Sequence, residues 1–246
     1  MTASRFLTKK IILPAIALAF VLGGSAAYLF PRLKIVIPIR MKYSRDASPR
    51  MYLVPQERVF AAPVDLDGGY EYASGNLRFT VPLKAIKTFD SEYARAFVFE
   101  ESKTVIVSKQ KEGEGVLNAL LAGQPEQAEA MRRFWGHENL QSEYAAVKFC
   151  LHATPDKGGI FTSRTELVRL PSLLLLKAVY SPLGDIIYQF ETDRFRGFQF
   201  GDPRTAQEVF VYLFDMSDHL YRIKLSSLGQ EEIDLLLASI AIAPTS

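Results

Sequence analysis

The sequence predicts an α+β fold that is preceded by a single membrane-spanning helix. Short alternating or apolar runs occur on both sides of a stretch with helical periodicity, and an uncharged apolar stretch lies near the start. Of the 246 residues, 48% are hydrophobic and 23% are charged, a globular composition that excludes a disordered or fibrous protein. The single cysteine excludes an intramolecular disulfide.

Residues 11–31 are predicted to form a transmembrane anchor after a short basic tail, residues 1–10. These 21 residues carry no charge, and as a helix they would cover about 30 Å, the thickness of a bilayer hydrocarbon core. One alternative is a cleaved signal peptide, since Ser25 and Ala27 provide small residues near its end, and another is a buried helix. We expect a retained anchor, because the run exceeds the ~7–15 apolar residues of a typical signal peptide.

Basic residues flank both ends of the predicted anchor, so the charge pattern leaves its orientation open. A literal count of positive charge would keep the body in the cytoplasm. A short basic tail before an apolar stretch is also typical of a bacterial signal anchor, and long domains escape the charge rule. We therefore expect a single-pass protein with an extracytoplasmic, periplasmic body, with a cytoplasmic body as the alternative.

Residues 32–58 are predicted to form a basic stalk without a regular helix, because prolines recur in and beside it. The prolines are Pro31, Pro38, Pro49 and Pro55. Residues 1–58 carry a net charge of +8 and the remainder −6, which argues against nucleic-acid binding by the body. Each stalk cation near an anionic leaflet could contribute ~1 kcal/mol, and a linker without lipid preference is the alternative. The candidate lipid contacts are Arg32, Lys34, Arg40 and Lys42.

The body, residues 59–243, is predicted to begin with strands and to continue with helices. The predicted strands are RVFAAPVDL, GYEYA, NLRFTVPL, RAFVFEE and TVIVSKQ. Pro125 opens the helix EQAEAMRRFW, and Ser142 opens the helix SEYAAVKFCLHA. Ser163 and Glu166 have the spacing of a capping box, and Pro171 is expected to divide the helical stretch that follows.

The last third returns to strands and closes with a helix. Strands are predicted at DIIYQFET, FRGFQFGD, VFVYLF and LYRIKL, of which the last two form a hairpin that turns at residues 215–218. In LYRIKL, apolar residues alternate with Arg222 and Lys224, as in a sheet with one packed and one wetter face. Ser227 and Gln230 are predicted to cap the helix EEIDLLLASI. Strands at hairpin distances predict an antiparallel sheet flanked by helices.

From Tyr188 to Ile242 the chain combines a strand containing YQFE, an aromatic hairpin and a helix ending in SIAI. Together with the earlier GNLRFTVP, this pattern resembles Mog1/PsbP-like domains. The resemblance implies an α/β/α-layered module of adaptor type, whose relatives are mostly non-enzymatic accessory or partner-binding proteins. It assigns no functional residue to this chain.

Cysteine and histidine are the first candidates for chemistry. Cys150 and His152 form a potential thiol–imidazole pair, but two residues on a helix are about 200° apart, so we expect a buried structural cysteine. His137 could ligate a metal or titrate, yet the three histidines lack metal-ligand spacing, which favours capping or exposure. Trp135 is expected to anchor a helix against the sheet rather than to hold a ligand.

The acidic and glycine-containing loops give weaker candidates. Asp65, Asp67 and Gly68 suggest a calcium loop, but Asn76 stands where the bidentate glutamate belongs, so a turn is expected. The cluster formed by Asp215, Asp218 and His219 is expected to be a solvated turn. Gly113 and Gly115 lack the remaining residues of a phosphate-binding loop, which argues against a nucleotide site.

These observations favour a membrane-anchored, non-enzymatic accessory or partner-binding protein of the cell envelope. No cofactor or metal is expected, and the expected partner is an unidentified protein. One alternative is a tethered carrier or sensor of a small apolar or lipid ligand, which requires a cavity between the sheet and the middle helices. The other is a hydrolase with an unrecognised site, which requires a histidine beside a nucleophile and a carboxylate.

Overall fold

The computed structural model describes residues 28–59, 69–111, 114–121, 125–182 and 184–243. Its strands are β1 (Gln56–Glu57), β2 (Tyr70–Ser74), β3 (Leu77–Val81), β4 (Lys87–Asp90), β5 (Ala94–Val98), β6 (Thr104–Lys109), β7 (Ile187–Glu191), β8 (Phe195–Phe200), β9 (Glu208–Asp215), β10 (Leu220–Ser226) and β11 (Ala241–Ile242). The α-helices in these ranges are α1 (28–42), α2 (Val116–Leu121), α3 (Pro125–Trp135), α4 (Glu143–Leu151), α5 (Arg164–Tyr180) and α6 (Gln230–Ser239). The predicted α+β class is confirmed.

An eight-stranded sheet forms the centre of the body, in the order β1-β7-β8-β9-β10-β6-β5-β4. Strands β11, β3 and β2 form a second, smaller sheet. Neighbouring strands of the large sheet are antiparallel except at one edge, where β1 runs parallel to β7. The large sheet is therefore mixed, and the prediction of a purely antiparallel sheet is wrong at that edge.

The two faces of the large sheet belong to two different apolar cores. On the first face, side chains such as Ile223 pack with Leu236 of α6 and Phe79 of the small sheet. On the second face, side chains such as Phe198 and Phe214 pack with residues of α2, α4 and α5. The alternation predicted for β10 is confirmed, since Tyr221, Ile223 and Leu225 are buried on the first face and the two cations are partly exposed on the second.

The capping predictions for α4 and α5 are confirmed, and the predicted break inside α5 is wrong. The hydroxyl of Ser142 accepts a hydrogen bond from the backbone N–H of Ala145 at 3.0 Å. Ser163 and Glu166 form the capping box of α5. The helix continues through Pro171 because its leucines are buried along one side, which offsets the roughly 3 kcal/mol that an interior proline costs.

The closing helix α6 is confirmed, but its predicted cap is wrong. The helix begins at Gln230, and the carboxylate of Glu232 accepts a hydrogen bond from the backbone N–H of Gly229 at 2.8 Å. A carboxylate in the first turn satisfies an amide that the helix leaves unpaired. The predicted capping residue Ser227 instead has a positive φ of 61°.

Residues 32–58 do not form the open stalk that the prolines predicted. Residues 28–42 are helical, with Pro38 in the helix interior, and Ile39 is buried in the second-face core. Met51 is also buried there, and β1 adds to the large sheet. Proline removes only one helical hydrogen bond, which burial of apolar side chains compensates. Packing of this segment begins well before the predicted domain boundary at residue 59.

Part of the predicted N-terminal organisation lies outside the described residues. This holds for the basic tail 1–10, for residues 11–27 of the predicted anchor and for residues 60–66 of the first predicted strand, RVFAAPVDL. The last four residues of the predicted anchor, 28–31, belong to α1. Among the helices that the structure describes, none has both the length and the apolar character needed to cross a bilayer.

Candidate binding surface

On its second face, the large sheet is covered by helices over only about half of its strands. Cross-strand partners show this, because directly paired residues point to the same side of a sheet. A row of such partners crosses the uncovered half from Phe89 through Ala96 and Ile106 to Lys224. None of these four side chains is fully buried. We call this surface the open face; it consists of Lys87, Phe89, Ala96, Val98, Thr104, Ile106, Ser108, Arg222 and Lys224.

Aromatic packing holds the helices over the other half of the second face. The ring of Tyr144 on α4 stacks on Phe198 of β8, with 5.3 Å between centroids, and meets Phe214 of β9 edge-on at 5.5 Å. Trp135 is buried in the same core, in contact with Phe149 of α4, as expected of a packing residue. Strands β8 and β9 supply these rings, whereas β5 and β6 carry small or short side chains on this face. The helix layer therefore packs on the rings of Phe198 and Phe214.

A cavity of about 740 Å³ lies where the open face meets the end of α5. Its apolar lining comes from Ile106, Phe210 and Tyr212 of the sheet and from Val179 of α5. The hydroxyl of Tyr212 donates to the carbonyl oxygen of Tyr180 at 2.7 Å, which ties the end of α5 to the sheet. Burial raises the pKa of Tyr212, so the phenol remains protonated and able to donate. The volume falls in the range of ligand-binding pockets.

Two cations of β10 line the same cavity. The guanidinium of Arg222 lies 5.5 Å from the ring centroid of Tyr212, and its Nη2 donates to Oε1 of Gln110 at 3.4 Å. The ammonium of Lys224 lies 5.7 Å from the ring of Phe210 and forms an ion pair with Glu208 at 2.6 Å. The cavity thus combines aromatic and aliphatic walls with two cations and one carboxylate. This chemistry suits an apolar group that carries a negative charge.

Lys177 on α5 is the most buried charged side chain among the described residues, with 1% exposure. Its Nζ lies 2.6–3.2 Å from four carbonyl oxygens, those of Met51, Leu53, Leu151 and Ala153, which share its three N–H donors. Burial, together with the positive charge of Lys157, lowers the pKa of Lys177 to about 8. The side chain therefore joins α5, the end of α4 and the segment before β1. Sequence reasoning missed this role, although Lys177 follows the buried Leu170 and Leu174 at helical spacing.

The acidic hairpin between β9 and β10 turns at the predicted residues with an exposed tip at 216–217, but the carboxylates of Asp215 and Asp218 are held by backbone amides. The carboxylate of Asp218 accepts hydrogen bonds from the backbone N–H groups of Glu143 and Tyr144 at the start of α4. Asp215 accepts from the backbone N–H of His219 at 2.8 Å and lies 2.9 Å from its Nδ1. The backbone N–H groups at the turn and at the start of α4 need hydrogen-bond acceptors, and these carboxylates provide them. The hairpin connects the sheet to the helix layer.

Cys150 and His152 are not brought together. Cys150 is buried, and burial raises the pKa of its thiol to about 12, so it stays protonated. His152 Nδ1 lies 2.9 Å from the carbonyl oxygen of Lys148, and burial lowers the pKa of this imidazole. His137 is exposed and lies 3.7 Å from a carboxylate oxygen of Glu129. In the described ranges, no serine, threonine or cysteine side chain is hydrogen-bonded to a histidine ring.

The remaining loop candidates divide between described and undescribed residues. Asp65, Asp67, Gly68 and Gly113 lie outside the described residues. Gly115 lies beside the buried carboxylate of Glu143, where an added Cβ would come within 2.5 Å of Oε1. Glu143 accepts hydrogen bonds from the backbone N–H groups that open α2, and burial raises its pKa. A carboxylate therefore occupies the position that a phosphate would need.

No protein-family model matches this chain, and no curated protein matches it. In the parts of the chain that the structure describes, no group of three or more His, Cys, Asp or Glu side chains is arranged to hold a metal ion. The open face and its cavity are thus the best-defined candidate site.

Proposed function

We propose that this chain is a membrane-anchored, non-enzymatic accessory protein that binds another protein through its open face. The observation that carries the proposal is the uneven covering of the large sheet: α6 and the small sheet bury apolar side chains of the first face from β7 to β5, whereas the second face is packed under helices on one half only. Phe89 is 49% exposed there, next to the partly exposed Ala96 and Ile106. Apolar residues grouped in this way are typical of interaction surfaces.

The charge of the open face defines the kind of partner. Lys87, Arg222 and Lys224 lie among its apolar side chains. Of these three cations, only Lys224 forms an ion pair within the described residues, and its partner is Glu208. A partner with exposed apolar residues and carboxylates would complement this surface, since electrostatic complementarity speeds association and selects partners. Residues 59–246 carry a net charge of −6, whereas the open face carries three cations and no carboxylate.

The membrane anchor is the second part of the proposal. It rests on the uncharged run 11–31, with the body on the extracytoplasmic side and a cytoplasmic body as the alternative. The resemblance to Mog1/PsbP-like domains supports an accessory role. The layering that it implies agrees with helices α2–α5 on one side of the sheet and α6 on the other.

Binding is favoured over catalysis by the positions of the titratable side chains. Asp218 and Glu143 accept hydrogen bonds from helix-start amides, and Asp215 accepts from its own turn. Lys177 is enclosed by carbonyl oxygens. Each of these titratable side chains stabilises the fold, so we assign the function to the open face and not to a catalytic site.

Site-specific photo-crosslinking in intact membranes tests the partner-binding proposal. Phe89 is replaced by p-benzoylphenylalanine, and the same replacement at Phe161, an exposed position outside the open face, is the matched control. We expect a discrete adduct from position 89 only, which disappears when Lys87→Glu and Lys224→Glu reverse the charge of the open face. No adduct at position 89, or the same adducts from both positions, would contradict the proposal.

The cavity favours a second candidate, a tethered carrier of a small apolar or lipid ligand. It lies between the sheet and α5, and Arg222 and Lys224 could pair with the carboxylate of a fatty acid. cis-Parinaric acid, which becomes fluorescent when bound, is a suitable probe. We expect binding by the full chain, loss of binding in Ile106→Trp and retention in the control Val168→Trp. Unchanged probe fluorescence with the wild-type chain would refute this candidate.

A further inference from the structure

Helix α1 has two apolar faces, of which the body covers one. Val36 and Ile39 are each 5% exposed, and Ile39 belongs to the second-face core. The opposite face carries four large apolar side chains at spacings of three or four residues, which we call the exposed stripe. Its members are Phe30, Leu33, Ile37 and Met41, with exposures of 62%, 36%, 50% and 77%.

Basic residues run along both edges of the exposed stripe. At about 100° per residue, the four stripe residues fall within about 80° of the helix surface, with Lys34 just beyond one edge and Arg40 just beyond the other. The ammonium of Lys34 lies 4.7 Å from the ring centroid of Phe30. Arg32 points elsewhere, since its guanidinium lies 3.4 Å from the ring centroid of Tyr28. The surface is therefore an apolar band with a cation on each side.

An apolar band with flanking cations is the pattern of a helix that lies in a membrane interface. The apolar side chains enter the boundary between headgroups and acyl chains, while lysine and arginine extend their charged ends to the headgroups. A soluble helix packed on a domain would present polar residues on its outer face instead. In α1 that face carries Phe30, Ile37 and Met41.

We propose that the exposed stripe lies in the headgroup region of an anionic bilayer and holds the body against the membrane. Two observations select a lipid surface as the occupant. Lys34 and Arg40 complement anionic headgroups, and the last four residues of the uncharged run 11–31 form the start of α1. The inference rests on the anchor in the proposed function and deepens it by naming the class of lipid.

Docking of the stripe would also fix the orientation of the body. Residues 59–246 carry a net charge of −6, so an anionic surface repels most of the body and attracts the basic helix. Because Ile39 and the partly buried Ile35 pack α1 against the second-face core, the orientation of the helix on the bilayer sets the orientation of the open face.

Fluorescence quenching in nanodiscs tests the position of the stripe. The full chain is placed in nanodiscs of phosphatidylcholine and phosphatidylglycerol, with an NBD fluorophore attached at Ile37→Cys. The matched control is Val168→Cys on α5, which is 47% exposed against 50% for Ile37. Wild-type protein, whose Cys150 is 2% exposed, gives the labelling background. Nitroxide lipids labelled near the headgroup should quench the Ile37→Cys label at least about threefold more strongly than the control. Equal quenching would overturn the proposal.

Removal of the flanking charges tests the preference for anionic lipid. Each cation should change the ratio of docked to undocked chains by about fivefold at low salt, so Lys34→Gln with Arg40→Gln should markedly reduce quenching. The control pair is Lys109→Gln with Lys111→Gln, two exposed lysines of the body. Nanodiscs of phosphatidylcholine alone should reproduce the loss. Quenching that is insensitive to both changes would refute the anionic-lipid assignment.

Carbonate extraction separates failure of this inference from failure of the anchor. A chain that stays in the membrane pellet with an unquenched Ile37→Cys label would refute the docked stripe and leave the anchor standing. A chain found in the supernatant would refute the anchor. In that case, vesicles of the same anionic composition with nitroxide lipids are added to the soluble chain. Quenching of the Ile37→Cys label would support the proposed docking of the stripe, and an unquenched label would overturn it.

Discussion

The two faces of the large sheet are covered very differently. The first face is buried under α6 and the small sheet from β7 to β5, and Ile223 of the face packs with Leu236 of α6. The second face is packed under helices on β8 and β9, but it leaves Phe89 and Ile106 accessible on β4 and β6. The same strands β10 and β6 contribute to both faces. One face thus provides the stability of the fold, and the open half of the other is available for binding.

This difference is expressed in the side chains of single strands. In β10 the residues directed to the first face are apolar, whereas the alternating positions on the second face hold Arg222 and Lys224. A strand whose two faces were both buried would be apolar throughout. Exposure of the open face is therefore built into the sequence of its strands.

The largest expected effect comes from the same substitution on the two faces. Ile223→Ala removes a buried side chain from the first face and should lower the free energy of unfolding by about 3–4 kcal/mol. Ile106→Ala, on the adjacent strand and the open face, should cost less than about 1 kcal/mol because the side chain is already partly exposed. Urea unfolding of the full chain in detergent, followed by the fluorescence of Trp135, measures both. Similar losses would show that the open face is part of the core.

The second prediction concerns the layer that covers the other half of the second face. Lys177→Met should lower the free energy of unfolding by about 3 kcal/mol, because it leaves buried carbonyl oxygens without their donor. The control Lys84→Met removes an exposed lysine that does not act on Lys177 and should change stability by less than about 0.5 kcal/mol. Equal effects of the two substitutions on the free energy of unfolding would contradict a stabilising role of Lys177.

The pH dependence of stability gives a separate test of Lys177. Burial lowers its pKa from 10.5 to about 8, so between these values the unfolded chain binds more protons than the folded one. Stability of the wild type relative to Lys177→Met should therefore rise with pH across this window, by up to about 3 kcal/mol. Urea unfolding of both proteins at several pH values measures the difference. A difference that stays constant with pH would contradict the lowered pKa.

A smaller effect is expected at the hairpin that joins the sheet to the covering helices. Asp218→Asn keeps an acceptor for the start of α4 and tolerates the positive φ of 68° at this position, but it loses the carboxylate charge. The loss should be about 1 kcal/mol, against almost none for Asp193→Asn, whose side chain is 89% exposed. Thermal unfolding compares the two. A larger loss for Asp193→Asn would refute the capping role of Asp218.

Local patterns in the sequence were sufficient to predict much of the fold. The alternation in LYRIKL predicted both faces of β10, and Ser163 with Glu166 predicted the start of α5. These features depend on residues that are close in sequence, so periodicity and capping chemistry reveal them. Predictions based on proline failed at Pro38 and Pro171, because burial of distant side chains outweighed the local cost of proline.

The candidate site could not be predicted, since it depends on which strands the helices cover. Strand β4 was missed because its four residues are all exposed and show no alternation. Lys177 was missed because its acceptors are backbone carbonyls more than 20 positions away, which have no sequence signature. Most of α1 was predicted to be a stalk because of its prolines and charges, and the burial of Ile39 in the second-face core has no local signature in the sequence.

The central claim is that a partner protein covers the open face in the native membrane. It is tested most directly by measuring how accessible this face is there. A membrane-impermeant maleimide is reacted with Phe89→Cys and with Val168→Cys, two positions of nearly equal exposure at 49% and 47%. The rate of each is compared between native membranes and purified, detergent-solubilised protein. We predict that position 89 reacts much more slowly in native membranes, while position 168 reacts at the same rate in both. Equal rates at position 89 in the two preparations would contradict a binding role for the open face.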